Sequence, residues 1–218
     1  MSTHKHSIVG HWPHDDSTPA SSESSKPTIA SPSPAGIFAF ASTTFILSAF
    51  NLNVRGIHAP NVVVGMAIFS GGLLQFIAGM WEFPRGNVFN ATVFSSYGCF
   101  WMSYATIHIP AFGIISAYAD PQEFNNAMGI YLVTWFMVTV FFTMAVIRRN
   151  LTFIILLSIL AVTFLVLAVA NFTGRSSINK AGGALGIVVS AIAYYAGLSE
   201  ILEAETRPIA RLPRGVWC

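Results

Sequence analysis

Beyond about residue 30 the chain alternates long apolar stretches with short polar breaks. Six apolar stretches fall near residues 35–54, 61–81, 87–109, 128–147, 151–171 and 181–203. Each is about 20 residues long, so a helix rising about 1.5 Å per residue would cross a hydrocarbon core of roughly 30 Å. The first five hold no Asp, Glu, Lys or Arg in their interiors. The breaks are short except for residues 110–127, where Pro110, Asp120, Pro121 and Glu123 predict a surface loop. The pattern predicts an all-α integral membrane protein with a six-helix domain over residues 31–205.

The two ends read differently. Residues 1–30 are rich in Ser, Thr, Pro and His, with the run Ser21-Ser22-Glu23-Ser24-Ser25 as an example. So few apolar groups cannot offset the entropy of ordering, which predicts a disordered tail open to phosphorylation. No apolar core follows its basic residues, so it does not read as a cleavable signal. Residues 206–218 predict a short basic tail.

Composition agrees with lipid as the solvent. Of the 218 residues, 54% are hydrophobic and 9% charged, against about 25% charged in a soluble domain. Mean hydropathy is +0.62. A formal charge of +2 gives no broad basic field for nucleic acid. Charge placement predicts orientation instead. With the N-terminus inside, Lys5, Lys26, Arg85, Arg148, Arg149, Arg207, Arg211 and Arg214 fall inside, against Arg55, Arg175 and Lys180 outside. That imbalance places both termini in the cytoplasm.

Small residues mark helix contacts. Gly65, Gly72 and Gly79 recur every seven residues, and Gly182 and Gly186 form G-x-x-x-G. Such residues let backbones approach closely in lipid. Packing within the chain and contact between subunits both fit the pattern.

No enzyme signature stands out: there is no H-x-x-x-H, no G-x-S-x-G and no P-loop. No cofactor site is implied. Cys99 and Cys218 suit neither a disulfide framework nor a metal site. The tail histidines, His4, His6, His11 and His14, read as solvated rather than as a metal site. His108, near the end of the third stretch, reads as an interfacial histidine or as a pH sensor.

Uncharged polar residues are more informative. Phe40, Thr44, Leu47 and Asn51 share one helical face, with Thr43 beside it. Leu160, Phe164, Leu167 and Asn171 repeat the spacing. Val93, Tyr97, Phe100 and Tyr104 share a third face, flanked by Ser96. Gln75 lies inside the second stretch. A polar group in hydrocarbon costs several kcal/mol unless paired. Gln75, Asn51 and Asn171 are therefore either packing glue or the lining of a path. The Thr and Ser hydroxyls have a third option, back-bonding to their own helices. The aromatic faces are either packing or a gate. Glu82, Glu200 and Glu203 lie at span ends. Glu82 reads as an interfacial ion pair with Arg85, and Glu200, the deepest, is the candidate for proton coupling.

These residues carry a resemblance. Ser31-Pro32-Ser33-Pro34-Ala35-Gly36 resembles an N-P-A-P-x-G opening, with Ser31 for the Asn and Ser33 for the Ala. Phe40, Thr43-Thr44, Gly71-Gly72, Gln75, Ala78-Gly79, Glu82, Gly86-Asn87, Phe94, Ser96-Tyr97-Gly98 and Phe100-Trp101 match the same pattern, and Tyr131, Trp135 and Asn171 extend it. Over about residues 31–205 the chain resembles the acetate uptake transporter family. That family includes bacterial acetate–succinate permeases and fungal acetate and ammonia-export proteins.

The resemblance implies six transmembrane helices around a pore in each protomer, like the amide and urea channels, assembled as a homo-hexamer. It implies an apolar constriction at Phe40, Tyr97 and Leu160. The substrate would be acetate or a related small monocarboxylate, with proton linkage open. Thr43, Thr44, Gln75, Ser96, Asn51, Asn171 and the Tyr97 phenol would offer donors along the path. The alternatives are an ammonia or ammonium exporter, and a non-transporting membrane sensor signalling through its tail. The Ser-rich tail looks fungal, which points to the plasma membrane.

Overall fold

Polar caps set three of the helix starts. The computed structural model describes residues 29–57, 59, 61–148, 150–213 and 215. The tail histidines, the Ser-rich run, Lys5, Lys26, Arg149, Arg214 and Cys218 lie outside the described residues. The described chain forms six long helices: α1 (Ser33–Asn51), α2 (Val62–Glu82), α3 (Val88–His108), α4 (Pro121–Val146), α5 (Leu151–Thr173) and α6 (Ser176–Ala204). Asn87 caps α3, Asp120 caps α4 and Asn150 caps α5, each accepting from a backbone N–H of the first turn.

Two starts come earlier than the hydrophobic pattern predicts. α4 begins at Pro121 rather than near 128, because Asp120 accepts the Gln122 N–H at 2.9 Å and Pro121 sits at the first helical position. Its opening turns are polar, so hydropathy misses them. α6 likewise begins at Ser176 rather than near 181. The predicted loop over 110–127 shrinks accordingly and holds two short 3₁₀ turns, Pro110–Phe112 and Ile115–Ala117.

All the helices but α3 are long and apolar enough to cross a membrane. α3 has 21 residues, yet carries Asn90, Thr92, Ser95, Ser96, Ser103 and Thr106.

α2 contains a π-helical turn over Phe69–Leu74. Gly71 and Gly72 sit within it, where their low helix propensity makes the irregular turn cheap. The wider turn rotates the second half of α2 relative to the first. A Cβ added at Gly65 would therefore have nothing within 4 Å, although Gly65 stands seven residues before Gly72. A Cβ at Gly71 would stand 2.7 Å from the Trp101 ring, and one at Gly79 would stand 2.5 Å from the Ser95 backbone nitrogen. The small residues of α2 from Gly71 onward thus pack inside the chain, against α3 and Thr43 of α1.

α1 packs most extensively on α6, α4 on α5, α5 on α6, and α2 on α3. Gly183 and Gly197 let α6 approach α1. A Cβ there would lie 2.9 Å from the Ser48 carbonyl oxygen and 3.1 Å from the Phe38 ring, respectively. Tyr194 donates to Ser42 across the same contact at 2.9 Å. The chain after α6 turns back over the bundle. Tyr195 donates to the Pro213 carbonyl at 2.6 Å, Ser199 to the Leu212 carbonyl at 2.9 Å, and the Leu151 N–H to the Gly215 carbonyl at 3.0 Å.

Gly79→Ala should destabilise the protein by about 1–3 kcal/mol, because the new methyl overpacks a backbone contact. Gly65→Ala should leave stability unchanged. Thermal unfolding of the two purified variants in detergent checks the pair.

Candidate functional site

α3 meets α4 and α5 through large rings. Phe100 touches Trp135 of α4 and Phe164 of α5, with centroids 5.0 and 5.3 Å apart, and stacks on Tyr131 at 5.8 Å. Two cavities open in the space the rings hold apart. The larger, about 210 Å³, lies toward the ends of α1, α3 and α5 that carry Asn51, His108 and Asn171. The smaller, about 20 Å³, is lined by Ile37, Gln75, Val93, Phe94 and the Phe153, Leu156 and Leu157 side chains of α5. Phe40 and Tyr97 wall both, with ring centroids 5.8 Å apart. Leu160 lines the larger cavity beside them. Helical spacing puts each of these three on a marked face of its own helix, and the fold brings them together from α1, α3 and α5.

The Tyr97 ring is held from the far side. Thr139 donates its single proton to the Trp135 carbonyl at 2.7 Å, so at 2.9 Å the Tyr97 hydroxyl must be the donor to Thr139. The phenol proton is committed to the protein. This corrects the expectation that Tyr97 would offer a donor to a solute. Trp135 and Phe142 close around the same ring at 6.1 and 5.8 Å.

The other predicted residues divide. Thr44, Asn51 and Asn171 line the larger cavity, and Gln75 the smaller. Thr44 Oγ1 and Gln75 Oε1 are buried with no hydrogen-bond partner, so each remains available to a water or a solute. Asn171 gives one amide proton to the Leu167 carbonyl at 2.8 Å and keeps its second amide proton and its oxygen for the cavity. Thr43 and Ser96 line neither cavity. Thr43 bonds to the Ala39 carbonyl at 2.9 Å and faces Gly71 of α2. Ser96 is half-buried. Glu200, also half-buried, lines neither cavity.

Sequence reasoning passed over two residues and misplaced a third. Thr139 anchors the Tyr97 ring through its hydroxyl. Asn179, from the first turns of α6, adds an amide to the larger cavity. Glu82 is fully buried rather than interfacial. A signal for it existed: it stands seven residues after Gln75, on the same face of α2. His108, at the mouth of the larger cavity, stacks on Tyr104 at 4.3 Å. Its Nδ1 must carry a proton, because its partner at 2.9 Å is the Tyr104 carbonyl.

The fold is a helical membrane bundle that holds two cavities meeting at the Phe40 and Tyr97 rings. The chain belongs to the GPR1/FUN34/yaaH family, which it matches over residues 14–213. It is 47% identical to the Ammonia transport outward protein 2 of Saccharomyces cerevisiae over 76% of this chain. It is 37% identical to the Acetate permease A of Emericella nidulans over 84%. It spans 59% of the yeast protein's length and 67% of the other's. Among solved structures it is similar to the bacterial acetate channel SatP, with a TM-score of 0.75 and 30% identity, covering 86% of this chain and 100% of that one. The protein is an integral membrane protein of that fold.

Thr139→Val should cost about 1–3 kcal/mol by leaving the Tyr97 hydroxyl buried without an acceptor. Adding Tyr97→Phe should recover most of that loss. A double-mutant cycle read by unfolding in detergent checks the coupling.

Proposed function

We propose that the protein conducts acetate and related small monocarboxylates across the plasma membrane, by the path through each chain. The observation that carries this reading is the pair of cavities meeting at Phe40 and Tyr97, beside Leu160. Likeness to an acetate channel supports the choice of solute.

The chemistry fits in order along the path. A carboxyl group that titrates near about 4–4.5 is an anion at neutral pH, and dehydrating that charge is costly. The larger cavity offers Thr44, Asn51, Asn171 and Asn179 in place of water. None of its lining residues is an Asp or Glu to repel the anion. The constriction is apolar where the methyl group would pass, and dewets when empty. Its far side holds about 20 Å³, room for about one water. Acetate therefore crosses only when the Phe40 or Leu160 side chain moves aside.

That same volume favours a second reading. Ammonia is about the size of a water molecule and needs little side-chain movement, and a yeast relative is named for outward ammonia transport. In either case the larger cavity faces outside and both termini lie in the cytoplasm, which the Lys and Arg distribution supports. The chains assemble as a homo-hexamer, and uptake of the acid is proton-linked.

Labelled-acetate uptake into proteoliposomes tests the first reading. Saturable uptake above empty liposomes is the expected result. Its absence, with ammonia still moving, would favour the second. Phe40→Ala or Leu160→Ala should raise acetate flux several-fold or admit longer monocarboxylates. Unchanged flux and size selectivity in both variants would remove the constriction from the mechanism.

A further inference from the structure

α4 gives the larger cavity a wall whose side chains carry no nitrogen or oxygen. Its contributions are Phe124, Met128 and Leu132, spaced i, i+4 and i+8 on one helical face. Met128 and Leu132 are 7% and 6% exposed, so the wall is packed in place. The opposite face of α4, with Ile130, Met137, Phe141 and Met144, is exposed and also apolar. Hydropathy alone therefore gives no sign that one side of α4 faces a cavity.

The wall from α1 is different. Thr44 lines the same cavity, and its Oγ1 is buried with no hydrogen-bond partner. The depth of Thr44 relative to the α4 wall follows from the rings. Phe40 of α1 and Trp135 of α4 both lie against Tyr97, with centroids 5.8 and 6.1 Å away. α1 runs toward the mouth at Asn51, whereas α4 runs inward from the mouth at Phe124. Thr44 is four residues outward from Phe40, and Leu132 is three outward from Trp135. At about 1.5 Å per residue the two stand nearly level. Met128 lies one turn further out, and Phe124 a turn beyond that. The cavity thus pairs a free hydroxyl on the α1 side with a graded apolar strip on the α4 side.

We propose that Phe124, Met128 and Leu132 form an alkyl-binding subsite that reads the chain length of a monocarboxylate whose carboxylate is held at Thr44. The carboxylate accepts from the Thr44 hydroxyl. The methyl group of acetate lies toward Leu132. Each further carbon extends outward along Met128 toward Phe124 and leaves water on the way. Methionine suits this place, since its unbranched side chain adapts to chains of different length. Ammonia has no apolar part to set against the strip. The subsite rests on the acid-conducting reading above and names the groups that select among acids.

Saturation-transfer NMR titrations of acetate, propionate and butyrate against the full chain in lipid nanodiscs test it, with empty nanodiscs as the blank. Affinity should rise about fourfold for each added CH2. Met128→Gln should leave acetate binding unchanged and flatten that rise. Thr44→Val should weaken all three acids by the same factor and keep the rise. Met137→Ala, on the exposed face of α4, should change neither. Should Met128→Gln fail to fold, Met128→Ala decides in its place, and is expected to move the preference toward a longer acid. Equal affinity for the three acids in the unaltered protein overturns the subsite and leaves the acid-conducting reading standing. So does a chain-length series that the Met128 variant leaves intact. No binding of any of the acids overturns both.

Discussion

The hydroxyl of Tyr97 and that of Thr139 join α3 to α4 behind the ring that meets Phe40. That one bond aims the tyrosine ring at Phe40, and the Phe40 contact divides the interior into two cavities. Everything polar in the larger cavity is useful only because the ring stays in place beside it. Trp135 shares in the arrangement twice, with its carbonyl fixing the direction of the Thr139 proton and its ring lying against Tyr97. A wall built this way is apolar toward the cavities and polar behind them.

The rest of the bundle spends its hydroxyls differently. Thr43, Thr92, Ser95, Thr106, Thr134, Thr143, Thr163 and Thr173 each return a hydrogen bond to a carbonyl four residues back. Such groups are satisfied without any neighbour and can face lipid, cavity or another helix. Against that background the unpartnered buried side-chain atoms stand apart: those of Thr44, Gln75, Glu82 and the Trp101 indole nitrogen. Among the described residues, none of the four is on α4, α5 or α6. The polar deficit is concentrated in the first three helices, where α2 carries its π-helical turn.

Much of the fold was legible because lipid makes hydropathy a strong signal. All six helices fall where the apolar stretches predicted them, and the starts of α4 and α6 were missed because their opening turns are polar and look like loops. The π-helical turn left no readable trace. An evenly spaced Gly65, Gly72 and Gly79 suggested one continuous stripe, yet the turn sends Gly65 to a different side. At the site, helical spacing placed Phe40, Thr44, Tyr97 and Leu160 on the faces that meet. It set Thr43 beside that face, and the structure turns Thr43 toward Gly71 of α2. Burial at a helix end was also illegible. Glu82 with Arg85 three residues later reads as an ordinary surface pair, and only the packing of α2 between α1 and α3 takes the acid out of water.

The pairing of α1 with α6 has a consequence for the order of events during synthesis. The first of the described helices to emerge finds its largest partner in the last of them, which begins at residue 176. A ribosome adding about 5–20 residues per second needs on the order of ten seconds to cover that interval. Throughout it Ser42 lacks Tyr194, and the Ser48 turn lacks the glycines of α6. α1 must therefore wait in the membrane or at the insertion machinery, held only by α2 and α3, until the ring of helices closes.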